Sequence, residues 1–493
     1  MAATRQVGFG LAALTLLGTA AAAHADPASC TALAAQGLFP ATTVGTSTWH
    51  PAGDGVPSFC EVSGTISPAA GSTIGVVYRL PDNWNGKILG LGGGGWAGNL
   101  RQDAADPGLK RGYATAQTDG GHATTSPWDT SWSSRPAAVT DFAYRAIHQM
   151  TATGKAVVAR YYGRSPQRSY FEGCSTGGRQ GLMEAQRFPD DYDGIISGAP
   201  VYTLQVQTSS MLRNQTFRAP GAGLSPALLD AIAAAAVKAC DGQDGLRDGL
   251  IGEPRQCRWD PAELACTTNA TGACLTTPQL AALRTAYAGV RTSAGDWAMF
   301  PLNRGGEAGW SRFIQTDSSK PDVTGGGGLI GLRPLLFGDT KVDLTALVAD
   351  RDVPAARASA FAKEYEASDP AIGAFVRHGG KLILWHGQSD PGPSPVGTVD
   401  YYKKVARADP KAAASVRLFL APGVEHCRGG PGPDQLETLA ALEQWVEQGR
   451  APATILATRL DGTITRPLCP YPAQAHYTGK GDVNAPASYT CHQ

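Results

Sequence analysis

Ser175 sits between two glycines in Gly173-Cys174-Ser175-Thr176-Gly177, a G-x-S-x-G spacing whose small residues let the chain turn sharply and lift a hydroxyl clear of a sheet. An apolar and aromatic run at 169–172 precedes the turn, and good helix formers at 180–188 follow it until Pro189. A serine hydroxyl is a weak nucleophile, so it needs a base to accept its proton and an acid to orient that base. Asp390 lies in QSDPGP after the strand-like LILWHG, and His426 lies in GVEHCRGG after VRLFL. The order Ser175, Asp390, His426 is nucleophile, acid, base, and such a set performs acyl transfer through a covalent intermediate. His386 and His122 compete for the role of base. Each reads instead as a hydrogen-bonded structural group, the commoner fate of a lone imidazole.

The same chemistry needs donors for a developing oxyanion. The backbone N–H of Thr176 is one candidate, and the glycine run at 92–95, with Gly94 and Gly95 foremost, supplies another after a strand. A phosphate cradle is excluded there, because no Gly-Lys-Ser/Thr follows and no G-x-G-x-x-G is completed. Cys174 directly precedes the serine and Cys427 directly follows the histidine. If hydroxyl and imidazole meet, these neighbours fall near the ~4.4–6.8 Å Cα separation of a disulfide, which would staple nucleophile to base. Two buried thiols are the alternative.

A third constellation is CDGQDGLRDGLIGEPRQC. Asp241, Asp244 and Asp248 crowd one glycine-rich loop flanked by Cys240 and Cys257, and oxygen ligands of this kind suit calcium, with the carbonyls of Leu246 and Leu250 added. The loop lacks the EF-hand pattern. A solvated acidic turn is the competing reading.

The elements that must position these residues alternate. After a Pro, Ser and Thr-rich entry to about residue 72, strand-like segments at 74–80, 87–92 and 113–117, a helical one at 138–160, later strands at 381–385 and 416–420 and a closing helix at 434–448 predict a mainly parallel sheet covered on both faces. The pattern breaks between 202 and 374, where helical pieces at 226–240 and 277–291 and a glycine-rich turn at 325–328 read as a lid inserted over the catalytic edge. The expected division is thus a signal segment at 1–25, a catalytic domain at 26–201 and 375–493, and a lid domain at 202–374.

Composition sets the address. Lys plus Arg and Asp plus Glu both number 42 in 493 residues, and no basic run points to nucleic acid or an anionic membrane as partner. Arg5, the apolar small residues at 7–23 and Ala23-His24-Ala25 form an export signal, so the mature chain is expected to begin at Asp26, secreted or periplasmic. The apolar run is too short and glycine-broken for a spanning anchor. All ten cysteines lie beyond that cleavage point and none forms a C-x-x-C pair, which favours disulfides over zinc.

Taken together, GCSTGGRQG, the paired Cys-Ser and His-Cys, the Asp in WHGQSDP, the CDxxDGxxDG loop and the RPLCPYP segment resemble the tannase and feruloyl esterase family of secreted α/β-hydrolases, from about residue 60 to the end. That family also includes mono(2-hydroxyethyl) terephthalate hydrolase. The resemblance implies a Ser-His-Asp esterase whose calcium-binding lid supplies a pocket for an aromatic acyl group. It implies disulfides Cys240 to Cys257, Cys266 to Cys274 and Cys469 to Cys491, and Cys30 to Cys60 is then left by elimination. The expected substrate is a hydroxycinnamate ester, with gallate and terephthalate monoesters as alternatives. Trp259, Trp297, Phe300 and Trp310 are lid aromatics that could stack on the ring or simply pack the lid. An inactive hydrolase fold acting as a binding module is the reading from another class, and a complete triad argues against it.

Overall fold

The computed structural model describes residues 26–124, 126–267, 273–316, 329–338 and 341–492; the expected signal segment and the glycine turn at 325–328 lie outside them. Nine strands form the main sheet: β1 (Thr42–His50), β2 (Phe59–Ile66), β3 (Ile74–Pro81), β4 (Lys87–Leu91), β5 (Ala114–Thr118), β6 (Arg168–Cys174), β7 (Gly194–Gly198), β8 (Lys381–Gly387) and β9 (Val416–Ala421). Their order is β1-β2-β3-β5-β4-β6-β7-β8-β9. The first three pair antiparallel and β3 meets β5 antiparallel. From β5 to β9 every pairing is parallel, as the uninterrupted apolar runs require.

Leu382, Ile383 and Leu384 are consecutive in β8 and all fully buried, so both faces of the sheet are covered. The covering helices are α1 (Ala146–Tyr162), α2 (Thr176–Arg187) and, late in the chain, α5 (Pro395–Ala408) and α6 (Thr438–Gln448). Between β7 and β8 the chain inserts, among other elements, α3 (Gln205–Arg218) and α4 (Pro226–Cys240). Phe217, Ile232, Leu283 and Trp310 form a core within this insertion. A second cluster joins Trp96 and Phe142, which precede the insertion in the chain, to Leu332 and Tyr365 within it, so the insertion packs on the rest of the fold. Among the described residues no helix is long and apolar enough to cross a membrane.

Several boundaries differ from the sequence reading for local reasons. The helix expected over 138–160 is three pieces: Pro136–Thr140, a π-helical turn at Asp141–Arg145, and α1. The wider turn accompanies the burial of Asp141, whose carboxylate accepts from Ser72 Oγ at 2.8 and 2.9 Å and from Arg145 Nε at 2.6 Å. The closing helix starts at Thr438 and not at 434, because Gln435–Leu436 pairs as a strand with Ile455–Thr458. The helix expected to 291 ends at Ala288, where Gly289 turns with φ +69° and Val290–Arg291 pairs with Trp297–Met299. Strands β1 and β2 stand where only a Pro, Ser and Thr-rich lead-in was expected.

Candidate active site

Ser175 lies between the end of β6 and the start of α2 with φ 62° and ψ −120°, backbone space that few side chains occupy. The surroundings hold it there. Ser175 N–H donates to Gly198 O and Gly177 N–H to Gly93 O, each at 2.9 Å. The glycines are needed because the two chain turns touch: a Cβ on Gly173 would come within 2.5 Å of Gly177 C, and one on Gly92 within 2.5 Å of Gly177 Cα. Sequence reasoning missed Gln180, whose Oε1 accepts from Gly93 N–H at 2.9 Å and ties the glycine loop to α2.

His426 follows β9, and its Nε2 lies 2.8 Å from Ser175 Oγ. Its Nδ1 lies 2.6 Å from Asp390 Oδ2. An ionised carboxylate only accepts, so Nδ1 carries the proton and Nε2 is free to accept the serine's. The residues named from sequence therefore meet. The neighbouring cysteines meet as well: Cys174 and Cys427 are disulfide-bonded with Cα atoms 5.9 Å apart. Cys30–Cys60, Cys240–Cys257, Cys266–Cys274 and Cys469–Cys491 are bonded too, and among the described residues no cysteine is free.

Asp390 is buried, which alone would raise its pKa, but the adjacent His426 and His386 outweigh burial and hold the carboxyl at about 2. His386 does not face the serine. Its Nε2 lies 3.1 Å from both Asp390 Oδ2 and Pro393 O, two acceptors, so that nitrogen carries a proton; Nδ1 accepts from Thr398 Oγ1 at 2.8 Å. Gly392 N–H donates to the other carboxylate oxygen at 2.8 Å. Arg213 of α3 donates to the carbonyls of Gly392 (2.6 Å), Pro391 (3.2 Å) and Phe300 (2.9 Å), so an arginine of the insertion clamps the aspartate's loop. Nothing in the local sequence of Arg213 announced this. His122 is also buried, its ring tilted against Trp132 at 5.5 Å.

These groups open on a cleft of about 1000 Å³ lined by Gly92 to Gly95, Trp96, Trp128, Val206, Phe313, Leu329, Ser175 and His426. Phe313 packs edge-on against the His426 ring at 5.0 Å. Trp128 is 47% exposed at the rim. The lid aromatics singled out from sequence are not there: Trp259 and Trp310 pack the core of the insertion, Phe300 is buried, and Trp297 stacks under Arg291. Composition alone cannot tell core packing from cleft lining. One oxyanion candidate also needs correction. The Gly94 N–H is taken by Ala97 O at 3.2 Å, whereas the N–H groups of Gly95 and Thr176 have no acceptor among the described residues. Thr176 Oγ1 donates to Gly95 O and so ties these two residues together.

The acidic loop lies apart, beside the C-terminal strand at Thr465–Leu468. Asp241 accepts from the N–H groups of Asp248 (3.2 Å) and Gly249 (3.1 Å), Asp244 from Leu246 N–H (3.2 Å), and Asp248 from Arg466 Nη2 (2.6 Å). Its three carboxylates do not all gather within 4.8 Å of one another. Burial pushes the Asp244 carboxyl up to about 6, with Asp248 and Asp241 adding to the shift. No donor among the described residues reaches the carbonyls of Leu246 or Leu250. The oxygens here, three carboxylates of which one faces Arg466 and two carbonyls without a donor, are of the kind that hard divalent cations take.

A serine at a strand-to-helix elbow, with histidine and aspartate on the loops after later parallel strands, defines a hydrolase of the α/β type. The chain belongs to the tannase and feruloyl esterase family, whose model matches residues 60–310 and 334–492, and it is a carboxylic ester hydrolase. It is 34% identical to a mono(2-hydroxyethyl) terephthalate hydrolase of Piscinibacter sakaiensis, over 92% of this chain and 88% of that one. It is 32% identical to feruloyl esterase B of Aspergillus niger, over 88% and 86%. The crystal structure of feruloyl esterase B from Aspergillus oryzae superposes with a TM-score of 0.85 at 26% identity, covering 94% of this chain and all of that one (100%).

Proposed function

We propose that this protein is an exported serine esterase that hydrolyses esters of hydroxycinnamic acids. The observation that carries the mechanism is the continuous line from Asp390 through His426 to Ser175 Oγ, at 2.6 and 2.8 Å. His426 Nε2 takes the serine proton as Oγ attacks the ester carbonyl, and the bond between the carbonyl carbon and the alcohol oxygen breaks as the same nitrogen returns that proton to the leaving oxygen. Water then repeats the sequence on the acyl-enzyme and frees the acid. The N–H groups of Thr176 and Gly95 receive the oxyanion in both halves, and Asp390 stabilises the imidazolium.

The cleft supports the substrate class. Trp96, Trp128, Phe313, Leu329 and Val206 offer flat, largely apolar walls to a ring, and relatives named for feruloyl and terephthalate esters share most of the chain. Parallel assays with methyl ferulate, methyl gallate, mono(2-hydroxyethyl) terephthalate and a long-chain fatty acyl p-nitrophenyl ester test it. Highest kcat/KM on the ferulate is the expected result. A site lined by hydroxyl-binding groups discriminates by about 10⁴ or more, so a sharp gallate preference would replace this reading with tannase.

We also propose that Asp241, Asp244 and Asp248, with the carbonyls of Leu246 and Leu250, hold a structural calcium ion that neutralises the loop and fixes it against Arg466. Elemental analysis of gently purified protein should find calcium, and EDTA should lower Tm in the wild type and not in Asp241→Ala.

A further inference from the structure

The far end of α2 carries a carboxylate that ester hydrolysis does not use. Glu184 is 1% exposed, and neither of its oxygens has a hydrogen-bond partner. It lies some nine residues along the helix from Ser175, roughly 13 Å at the rise of an α-helix, and does not line the cleft. Asp191, in the turn leading to β7, and His148, on α1, bring ligand atoms so near that all three groups lie within 4.8 Å of one another. His148 Nδ1 is 2.7 Å from Asp191 Oδ2, and its ring is fixed by stacking on Phe188 at 3.9 Å and 9°. Lys155 is the adjacent cation, yet its Nζ donates to the backbone carbonyls of Asp190 and Asp191 and makes no hydrogen bond to either carboxylate. His378 is spent on Asp190 at 3.1 Å.

A buried carboxylate without a donor, set against a second carboxylate, must be neutralised, either by a proton or by a cation held between them. We propose that His148, Glu184 and Asp191 bind a divalent transition metal of the zinc class, separate from the acidic loop. The imidazole nitrogen selects such an ion over calcium or magnesium, which prefer oxygen-only sites. Three protein ligands leave a fourth position for water on the side where the His148 and Asp191 side chains are 30% and 15% exposed. The ion joins α1, α2 and the approach to β7. Its role is to brace the helix that begins at the nucleophile, and it touches no reacting atom.

Isothermal titration of zinc chloride into mature protein, stripped with EDTA and refilled with calcium, tests this. The expected result is one zinc per chain and a rise in Tm. Glu184→Gln and His148→Ala should each weaken binding by at least about tenfold, while Asp241→Ala leaves it unchanged. His148 is partly exposed, so His148→Ala keeps a folded variant in hand if Glu184→Gln does not fold. Cobalt(II) should give the visible absorption of a tetrahedral site in wild type and lose it in both variants. Absence of saturable zinc binding, or equal binding by wild type and both variants, overturns the proposal. So does a Glu184→Gln protein as stable as the zinc-treated wild type, which would mean that a shared proton fills the gap.

Discussion

At the scale of single residues, the functional set was legible because its chemistry demands a fixed order and fixed neighbours. Ser175 is given away by glycines that a tight turn cannot do without, and Asp390 and His426 by loops that follow apolar strands. Ser175→Ala should lower kcat for ester hydrolysis by about 10³ to 10⁶-fold with an unchanged circular dichroism spectrum. His426→Ala should fall in the same range. His386→Ala should keep a measurable rate, because His386 acts on the acid and not on the hydroxyl. Equal loss in both histidine variants would contradict that division.

The aspartate adds a pH signature. Its folded pKa of about 2 lies below the ordinary 3.8, so its contribution to stability is present above pH ~4 and is lost as pH falls toward ~2. The contribution is about 2 kcal/mol by the usual conversion. Urea unfolding of wild type and Asp390→Asn should therefore differ most at pH 5 and converge near pH 2; parallel profiles would show that the histidines do not hold the charge. What sequence could not supply here is reach. Arg213, Gln180 and Thr398 act on the site from separate helices, and no local pattern distinguishes an arginine that clamps a loop from one that meets solvent.

At the scale of elements, the parallel strands were read correctly where they are apolar throughout, and the misreadings fall where pairing overrides propensity. Gln435–Leu436 continues a helical pattern, yet it becomes a strand because Ile455–Thr458 lies alongside. β1 was missed because its Thr and Ser residues face largely exposed surface and resemble a loop in composition, and β2, though half buried, was passed over with it. The Cys174–Cys427 bond is the element-scale feature that adjacency in sequence disclosed. It ties the end of β6 to the loop after β9 across 253 residues. Replacing both cysteines with alanine should cost about 2–5 kcal/mol of stability, as the unfolded chain regains that loop's freedom. It should also lower kcat more than it raises KM, since Ser175 and His426 lose their shared anchor. A variant with wild-type kcat and lowered Tm would separate the two effects and leave the bond a purely global staple.

At the scale of the whole molecule, the disulfides and the first helix bear on where the mature chain begins. Asp26 Oδ1 accepts from Ser29 N–H at 2.7 Å and caps the helix Pro27–Ala32, whose Cys30 is bonded to Cys60 on β2. In the exported form proposed above, begun at Asp26, the terminus would still be held by a cap and a cross-link. Five disulfides form only where thiols are oxidised. If the export reading holds, expression of the full chain in an exporting bacterium should yield active protein outside the cytoplasm whose amino-terminal sequence starts Asp-Pro-Ala-Ser-Cys. The same chain begun at Asp26 and kept in a reducing cytoplasm should accumulate with free thiols and little esterase activity. Full activity and no disulfides in the cytoplasmic product would refute both the export reading and the claim that the bond beside the nucleophile matters to catalysis.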